Sequence, residues 1–199
     1  MGPKAPLPLP LVDAERAMRL VRAHAAELGL DSARIGMIGF SAGGHLAAYT
    51  AANAKPGDPR AADPLDRVSS RPDFIVLAYP WINATRPLGA GASPYCVARG
   101  APCSSKDYVR YAPLPSIAAD FPPTFIYHTA DDAAVPVEDS VELFEALRRN
   151  KVPVELHIFQ TGAHGSALGA GDPALSHWPL LLDQWLRSRN ILAFAERAG

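Results

Sequence analysis

The sequence predicts an α/β protein, a three-layer α/β/α sandwich on a mostly parallel sheet of about four strands. Two observations predict it. Short, largely apolar runs recur at 35–38, 74–79, 124–128 and 154–159, each too short for a helix and each bounded by turn-forming residues. Between and around them lie longer stretches with a helical period. Strands that are apolar almost throughout are buried on both faces, and helices must then cover both sides of a parallel sheet.

The elements follow in order. After a proline-rich start, Asp13 to Leu28 reads as an amphipathic helix. Ala14, Met18, Val21, Ala25 and Leu28 fall on one face of a 3.6-residue period, and Gly29 ends it. Asp31-Ser32 turns the chain into the run 35–38, and a helix follows from Gly43 to Asn53. Residues 54–72 are loop by composition, before the strand 74–79. The segment 80–122, dense in Pro, Gly and Ser, is too long for a plain connection. It predicts short helices of its own and a cap-like place at a site. The strand 124–128 leads to a helix from Val137 to Arg149, with Glu138 and Asp139 in the first turn, where the helix dipole favours acids. The strand 154–159 precedes a last amphipathic helix, Ala174 to Arg187, carrying Leu181, Leu182 and Trp185. The whole chain, 1–199, reads as a single catalytic domain.

Composition excludes several classes. With 48% hydrophobic and 20% charged residues, the chain is neither disordered nor membrane-spanning. Nineteen basic residues balance twenty acidic ones, so the net charge of −1 implies neither nucleic acid nor an anionic membrane as partner. The proline-broken N-terminus lacks the apolar segment of a secretory signal, which predicts a cytoplasmic protein. Cys96 and Cys103 make no disulfide framework and no CxxC pair; they could pair with each other or stay free, and incidental thiols are the preferred reading. No histidines or cysteines have metal-ligand spacing, so neither a metal nor another cofactor is expected.

The chemistry centres on Gly39-Phe40-Ser41-Ala42-Gly43, a G-x-S-x-G motif with a strand running in and a helix running out. Such a turn lifts the serine hydroxyl off the sheet, and a Cβ on either flanking residue is expected to clash with strand or helix. The bland alternative is a structural turn of small residues. A base and an acid should come from loops after later strands, at the same carboxyl edge of the sheet. The loop 129–136 holds Asp131 and Asp132, and the loop 160–165 holds His164. The chain order is Ser, Asp, His, and spacing alone does not choose between the two aspartates.

The stretches "GFSAGGHLA", "HTADDAAVPVEDS" and "GAHG" together resemble the α/β-hydrolase superfamily, most of all its esterase branch near the acetyl xylan esterases and short-chain carboxylesterases. The resemblance runs from about Leu11 to Leu186. It implies Ser41 as nucleophile, His164 as general base and Asp132, four residues before Pro136, as the acid; Asp131 is then a turn-forming neighbour. It also implies that the Ala42 amide stabilises the oxyanion. The family's second oxyanion amide comes from a glycine-rich loop, and none precedes Ser41. Early strands of the resembled fold are missing too, so the expectation is a truncated α/β-hydrolase.

The function implied is a serine carboxylesterase acting on short acyl esters, acetyl to butyryl, with acetylated carbohydrates among its substrates. Two other readings stand beside it: a degenerate hydrolase that binds a ligand or partner without turnover, and a peptidase or dienelactone-type hydrolase. A dienelactone hydrolase would favour cysteine at position 41, and serine counts against it. Without its early strands the run 34–39 has an open edge guarded only by Arg34, which predicts a homodimer or higher homo-oligomer.

Trp81 follows the second strand directly, where an indole could line a substrate wall or simply pack; Tyr95, Tyr108 and Tyr111 are weaker candidates for that wall. His45 reads as packing near the serine turn, His128 and His157 as core or strand-end residues, and His24 and His177 as surface.

Overall fold

The computed structural model describes residues 7–83 and 109–193. Cys96, Cys103, Tyr95, Tyr108 and most of the expected insertion lie outside them. Four strands, β1 (Met37–Phe40), β2 (Ile75–Ala78), β3 (Thr124–Thr129) and β4 (Val154–Phe159), form one sheet in the order β1-β2-β3-β4. Every pair is parallel, with Gly39 opposite Leu77, Leu77 opposite Ile126 and Ile126 opposite Leu156. Among the described residues four α-helices frame it: α1 (Leu9–Ala23), α2 (Ala42–Ala52), α3 (Glu138–Arg149) and α4 (Trp178–Ser188).

Strand alternation divides the core in two. Ile75, Leu77 and Ile126 point to one face and pack with Ala47, Ala48 and Ala51 of α2 and with Leu143 and Leu147 of α3. Val76, Ala78, Phe125 and Tyr127 point to the other, against Trp178 and Trp185 of α4. Helix α1 lies over α2 and reaches Ile35 and Met37 through Met18 and Val21. The expected three layers are therefore present.

Boundaries differ from expectation for local reasons. Helix α1 begins at Leu9 because Pro10 falls in its first turn, where a missing N–H costs nothing and the fixed φ suits a helix. It ends at Ala23, and turns carry the chain on to Gly29, so Leu28 is exposed rather than on the buried face. The first strand is 37–40, two residues later than the apolar run suggests, because the pairing with β2 continues up to Phe40. The last helix is preceded by a 3₁₀ turn, Leu175–His177. Short 3₁₀ turns also occur at Val109–Tyr111 and Leu114–Ser116, within the segment expected to carry short helices. Among the described residues, no helix is long and apolar enough to cross a membrane.

Candidate active site

The β1–α2 turn places Ser41 at φ 53° and ψ −120°. A non-glycine residue there carries strain on the order of 1–3 kcal/mol, so its surroundings must hold it. They do so through the main chain. The Ser41 amide donates to the Ala78 carbonyl at 3.0 Å, and the Ser41 carbonyl accepts from Gly44 at 2.9 Å and from Trp81 at 3.1 Å. The strained residue is thus fastened to its own helix, to β2 and to the loop after β2.

Only part of the expected glycine pattern is steric. A Cβ on Gly39 would lie 2.2 Å from the Gly43 carbonyl oxygen, and one on Gly44 would lie 2.6 Å from the Pro80 Cβ. A Cβ on Gly43 meets nothing within 4 Å. The close approaches are therefore at Gly39 and Gly44, and the expectation for Gly43 is corrected.

His164 joins Ser41 to Asp132. Its Nε2 lies 2.8 Å from the Ser41 Oγ, and its Nδ1 lies 2.7 Å from the Asp132 Oδ2. The Asp132 side chain is fully buried, whereas the His164 ring is 25% exposed. The other carboxylate oxygen, Oδ1, accepts from the Ala134 and Val135 amides at 2.8 and 2.9 Å. Burial by itself raises the Asp132 carboxyl, but bonds from the Val135 amide, His164 and the Ala134 amide outweigh it and hold the group below the usual carboxylate value. Asp131 is exposed, and its Oδ1 accepts from the Gly162 amide at 2.8 Å. It ties the aspartate loop to the histidine loop and stands apart from the ring.

The histidine loop is braced from beneath. Thr129 donates to the Gly162 carbonyl at 2.8 Å, Ala167 donates to the Tyr79 hydroxyl at 3.1 Å, and the Trp178 indole donates to the Ala167 carbonyl at 3.1 Å. Tyr127 and Ser166 share a further hydroxyl–hydroxyl bond. The Tyr79 ring meets His164 edge-on, with centroids 5.0 Å apart. Ala42 is the first residue of α2, so its N–H has no acceptor within the helix and sits at the positive end of the helix dipole.

Trp81 is not a wall. It is fully buried, its ring 5.3 Å from that of His45, and it packs with Leu11, Tyr111 and Val135. Its position after β2 is as expected, but its side chain points into the core, and of its two readings the packing one stands. Tyr111 is buried in the same cluster and leaves the substrate-wall candidates with it. His45 packs near the serine turn as expected, and burial lowers it to about 4, offset in part by a hydrogen bond to the Tyr111 backbone. His24 and His177 are at the surface, His128 is fully buried, and His157 is partly buried beside Glu155.

Three residues beside the site make contacts that sequence reasoning did not foresee. Tyr79 braces the histidine loop. Asp139 in the first turn of α3 is fully buried, and its Oδ2 accepts from the amides of Ile82 and Asn83 at 2.6 and 2.9 Å, fastening the loop after β2. His128 Nε2 lies 3.4 Å from Asp132 Oδ2, the oxygen that also bonds His164. An acid opening a helix and a histidine in a strand carry no signal of such distant partners.

A parallel sheet with a serine on a strand-to-helix turn, and with one imidazole between that serine and a buried carboxylate, is an α/β-hydrolase arrangement. The chain belongs to the BD-FAE family, an α/β-hydrolase family whose pattern matches residues 1–147. That match takes in Ser41 and Asp132 and ends before His164. The chain is 39% identical to the acetyl ester-xyloside bifunctional hydrolase from Caldicellulosiruptor lactoaceticus, with a TM-score of 0.88 over 94% of this chain and 68% of that one. It is 32% identical over 186 residues to endo-1,4-beta-xylanase B of Butyrivibrio fibrisolvens, covering 90% of this chain and 28% of the relative. It is 28% identical over 187 residues to the acetylxylan esterase of Xylanibacter ruminicola, covering 90% of this chain and 36% of the relative. The chain thus spans well under half the length of these two relatives.

Proposed function

We propose that the chain is a serine carboxylesterase that hydrolyses short-chain esters, acetyl to butyryl, with acetylated carbohydrates among its substrates. The observation that carries this is the single imidazole of His164, bonded through Nδ1 to a buried carboxylate and through Nε2 to the Ser41 Oγ. The names of two relatives, an acetylxylan esterase and an acetyl ester-xyloside hydrolase, support the acetyl preference.

In this reading His164 Nε2 takes the Ser41 proton as Oγ attacks the ester carbonyl carbon. Negative charge then develops on the carbonyl oxygen, and the Ala42 N–H at the start of α2 donates to it. His164 returns the proton to the departing alkoxide, leaving an acyl-Ser41. Water, deprotonated by the same nitrogen, attacks that acyl group and releases the acid and free Ser41. Asp132 keeps His164 in the Nδ1–H tautomer and balances the imidazolium that forms twice per cycle.

The chain acts as one catalytic domain with an insertion at 80–122, of which only the two ends lie among the described residues. In support, the segment leaves β2 bonded to the Ser41 carbonyl through Trp81, and it returns with Tyr111 against Tyr49 of α2. A homodimer covers the β1 edge, where Ile38 is 53% exposed and no strand pairs outside β1 among the described residues. A fluorophosphonate probe together with a nitrophenyl ester series tests the reading. The protein should be labelled, Ser41→Ala should remove both label and hydrolysis, and rates should fall from acetate and butyrate to long chains. Labelling that survives the substitution, or strong long-chain hydrolysis, would refute it.

A further inference from the structure

His128 lies in β3, a strand buried along its whole length. Leaving a buried ring nitrogen unpaired costs about 1–3 kcal/mol, so both nitrogens need partners. Nδ1 lies 2.7 Å from the Ser140 Oγ in the first turn of α3, and Nε2 lies 3.0 Å from the Val135 carbonyl oxygen. Nε2 is also 3.4 Å from Asp132 Oδ2, the oxygen that accepts from His164.

These partners determine the tautomer. A carbonyl and a carboxylate only accept, so Nε2 carries the proton. In the neutral ring Nδ1 then accepts, and the Ser140 hydroxyl donates. Burial lowers His128 below the ordinary histidine value, while the Val135 carbonyl and the Asp132 charge pull the other way and His164 lowers it further. The titratable groups facing the ring are Asp132 and His164; Ser140 and the Val135 carbonyl carry no charge.

We propose that His128 is a positioning residue for Asp132, a neutral imidazole whose Nε2–H braces the 132–135 loop and lies beside Oδ2, the carboxylate oxygen that accepts from His164. The proposal rests on the triad reading above. Val135 stands at the centre of the device: its N–H donates to Asp132 Oδ1 while its carbonyl accepts from His128. The amides that orient the carboxylate therefore belong to a turn that His128 fastens to β3 and, through Ser140, to α3. An apolar residue in its place would leave the Val135 carbonyl and the Ser140 hydroxyl without this partner and let the turn shift. A cationic one would compete with His164 for the Asp132 charge.

The test compares His128→Leu with His128→Gln on nitrophenyl acetate and reads two NMR signals on the resting protein. Gln keeps a donor near the Nε2 position. His128→Leu should lower kcat roughly 10- to 100-fold, the range that supporting partners of a site's ligands and catalytic groups carry, with KM nearly unchanged. The acid limb of its kcat/KM profile should move to lower pH as His164 loses its well-placed carboxylate, and His128→Gln should recover most of both effects. In the wild type the His128 ring should be neutral and Nε2-protonated at neutral pH and above. The downfield His164 Nδ1 proton signal should weaken in His128→Leu.

A His128→Leu enzyme with wild-type kcat and pH profile overturns the proposal, as does a cationic or Nδ1-protonated His128. If His128→Leu does not fold, Ser140→Ala takes its place, and a wild-type profile there overturns it equally. Should the wild type hydrolyse no ester, the esterase reading fails, while the two proton signals still decide the role of His128.

Discussion

The two halves of the site are built differently. Asp132 follows β3, an interior strand buried from end to end, and its carboxylate is held by two amides and a histidine, with a second histidine alongside. Ser41 follows β1, an edge of the described sheet, and is held by main-chain bonds and by the close approach of Gly39 and Gly44 to their neighbours. Orientation on the acid side is a matter of side-chain electrostatics, and on the nucleophile side a matter of backbone sterics. Substitutions on the two sides should therefore fail in different ways.

The largest effect is expected from Gly39→Ala. Its Cβ would sit 2.2 Å from the Gly43 carbonyl oxygen, which is backbone and cannot swing aside. Loss of folding, or destabilisation by about 4 kcal/mol or more, is the expected result in thermal and urea melts. Gly43→Ala has room for its methyl and should fold like the wild type. If the two variants melt alike, the steric account of the nucleophile half is wrong.

On the acid side the fold should survive and the chemistry should not. Asp132→Asn should lower kcat about 10⁴-fold, because an amide in place of the carboxylate favours the wrong tautomer of His164. Asp131→Asn keeps an oxygen for the Gly162 amide and touches no ring, so its loss should be far smaller. Steady-state kinetics of the two variants decide the matter, and the reverse order would reassign the acid.

A third test uses the histidine buried in each half. His45 lies near 4 in the fold against an ordinary 6.5, chiefly through burial. As pH falls, the unfolded chain takes up this proton first. The stability it confers is complete above pH 6.5 and is lost between 6.5 and about 4, by roughly 3 kcal/mol at most. Urea melts at neutral and acid pH should show that slope, and His45→Gln should flatten it. His128 is lowered in the same direction and contributes in the same sense, so the slope should persist in part.

These contrasts also explain what the sequence disclosed. The meeting of Ser41, Asp132 and His164 was legible because each sits in a short loop just past a strand, where the parallel topology brings carboxyl ends together. The choice of Asp132 over Asp131 came from resemblance, and the structure separates them by what each side chain bonds: a ring nitrogen for one, a backbone amide for the other. Trp81 was legible in position and illegible in direction, since one residue past a strand end the chain can aim a side chain either way. Asp139 and His128 were illegible for a different reason. Asp139 bonds amides 56 and 57 residues away, and the His128 ring links three elements that only the folded chain assembles.

The smallest effect on folding, and the last way to separate the halves, lies at the sheet edges. Ile38 on β1 and Ile158 on β4 are 53% and 45% exposed, one on each outer strand of the described sheet. An exposed apolar residue contributes little to the fold it stands on, so Ile38→Glu and Ile158→Glu should each change stability by about 0.5 kcal/mol or less. Their consequences for assembly should differ. The nucleophile half ends in a four-residue strand whose outer backbone groups have no ladder partner among the described residues. A second copy seated there would bury Ile38, and a charge would then have to be buried with it. β4 is guarded along its length by Glu155 and His157, which bond each other at 2.7 Å, and polar side chains of this kind discourage strand pairing. Light scattering at micromolar concentration should therefore show a dimer for the wild type and for Ile158→Glu, and a monomer for Ile38→Glu with its melting temperature unchanged. A wild-type chain that scatters as a 21.2 kDa monomer would mean that the β1 edge is stable without a second copy, and the contrast between the halves would then end at the backbone of Ser41.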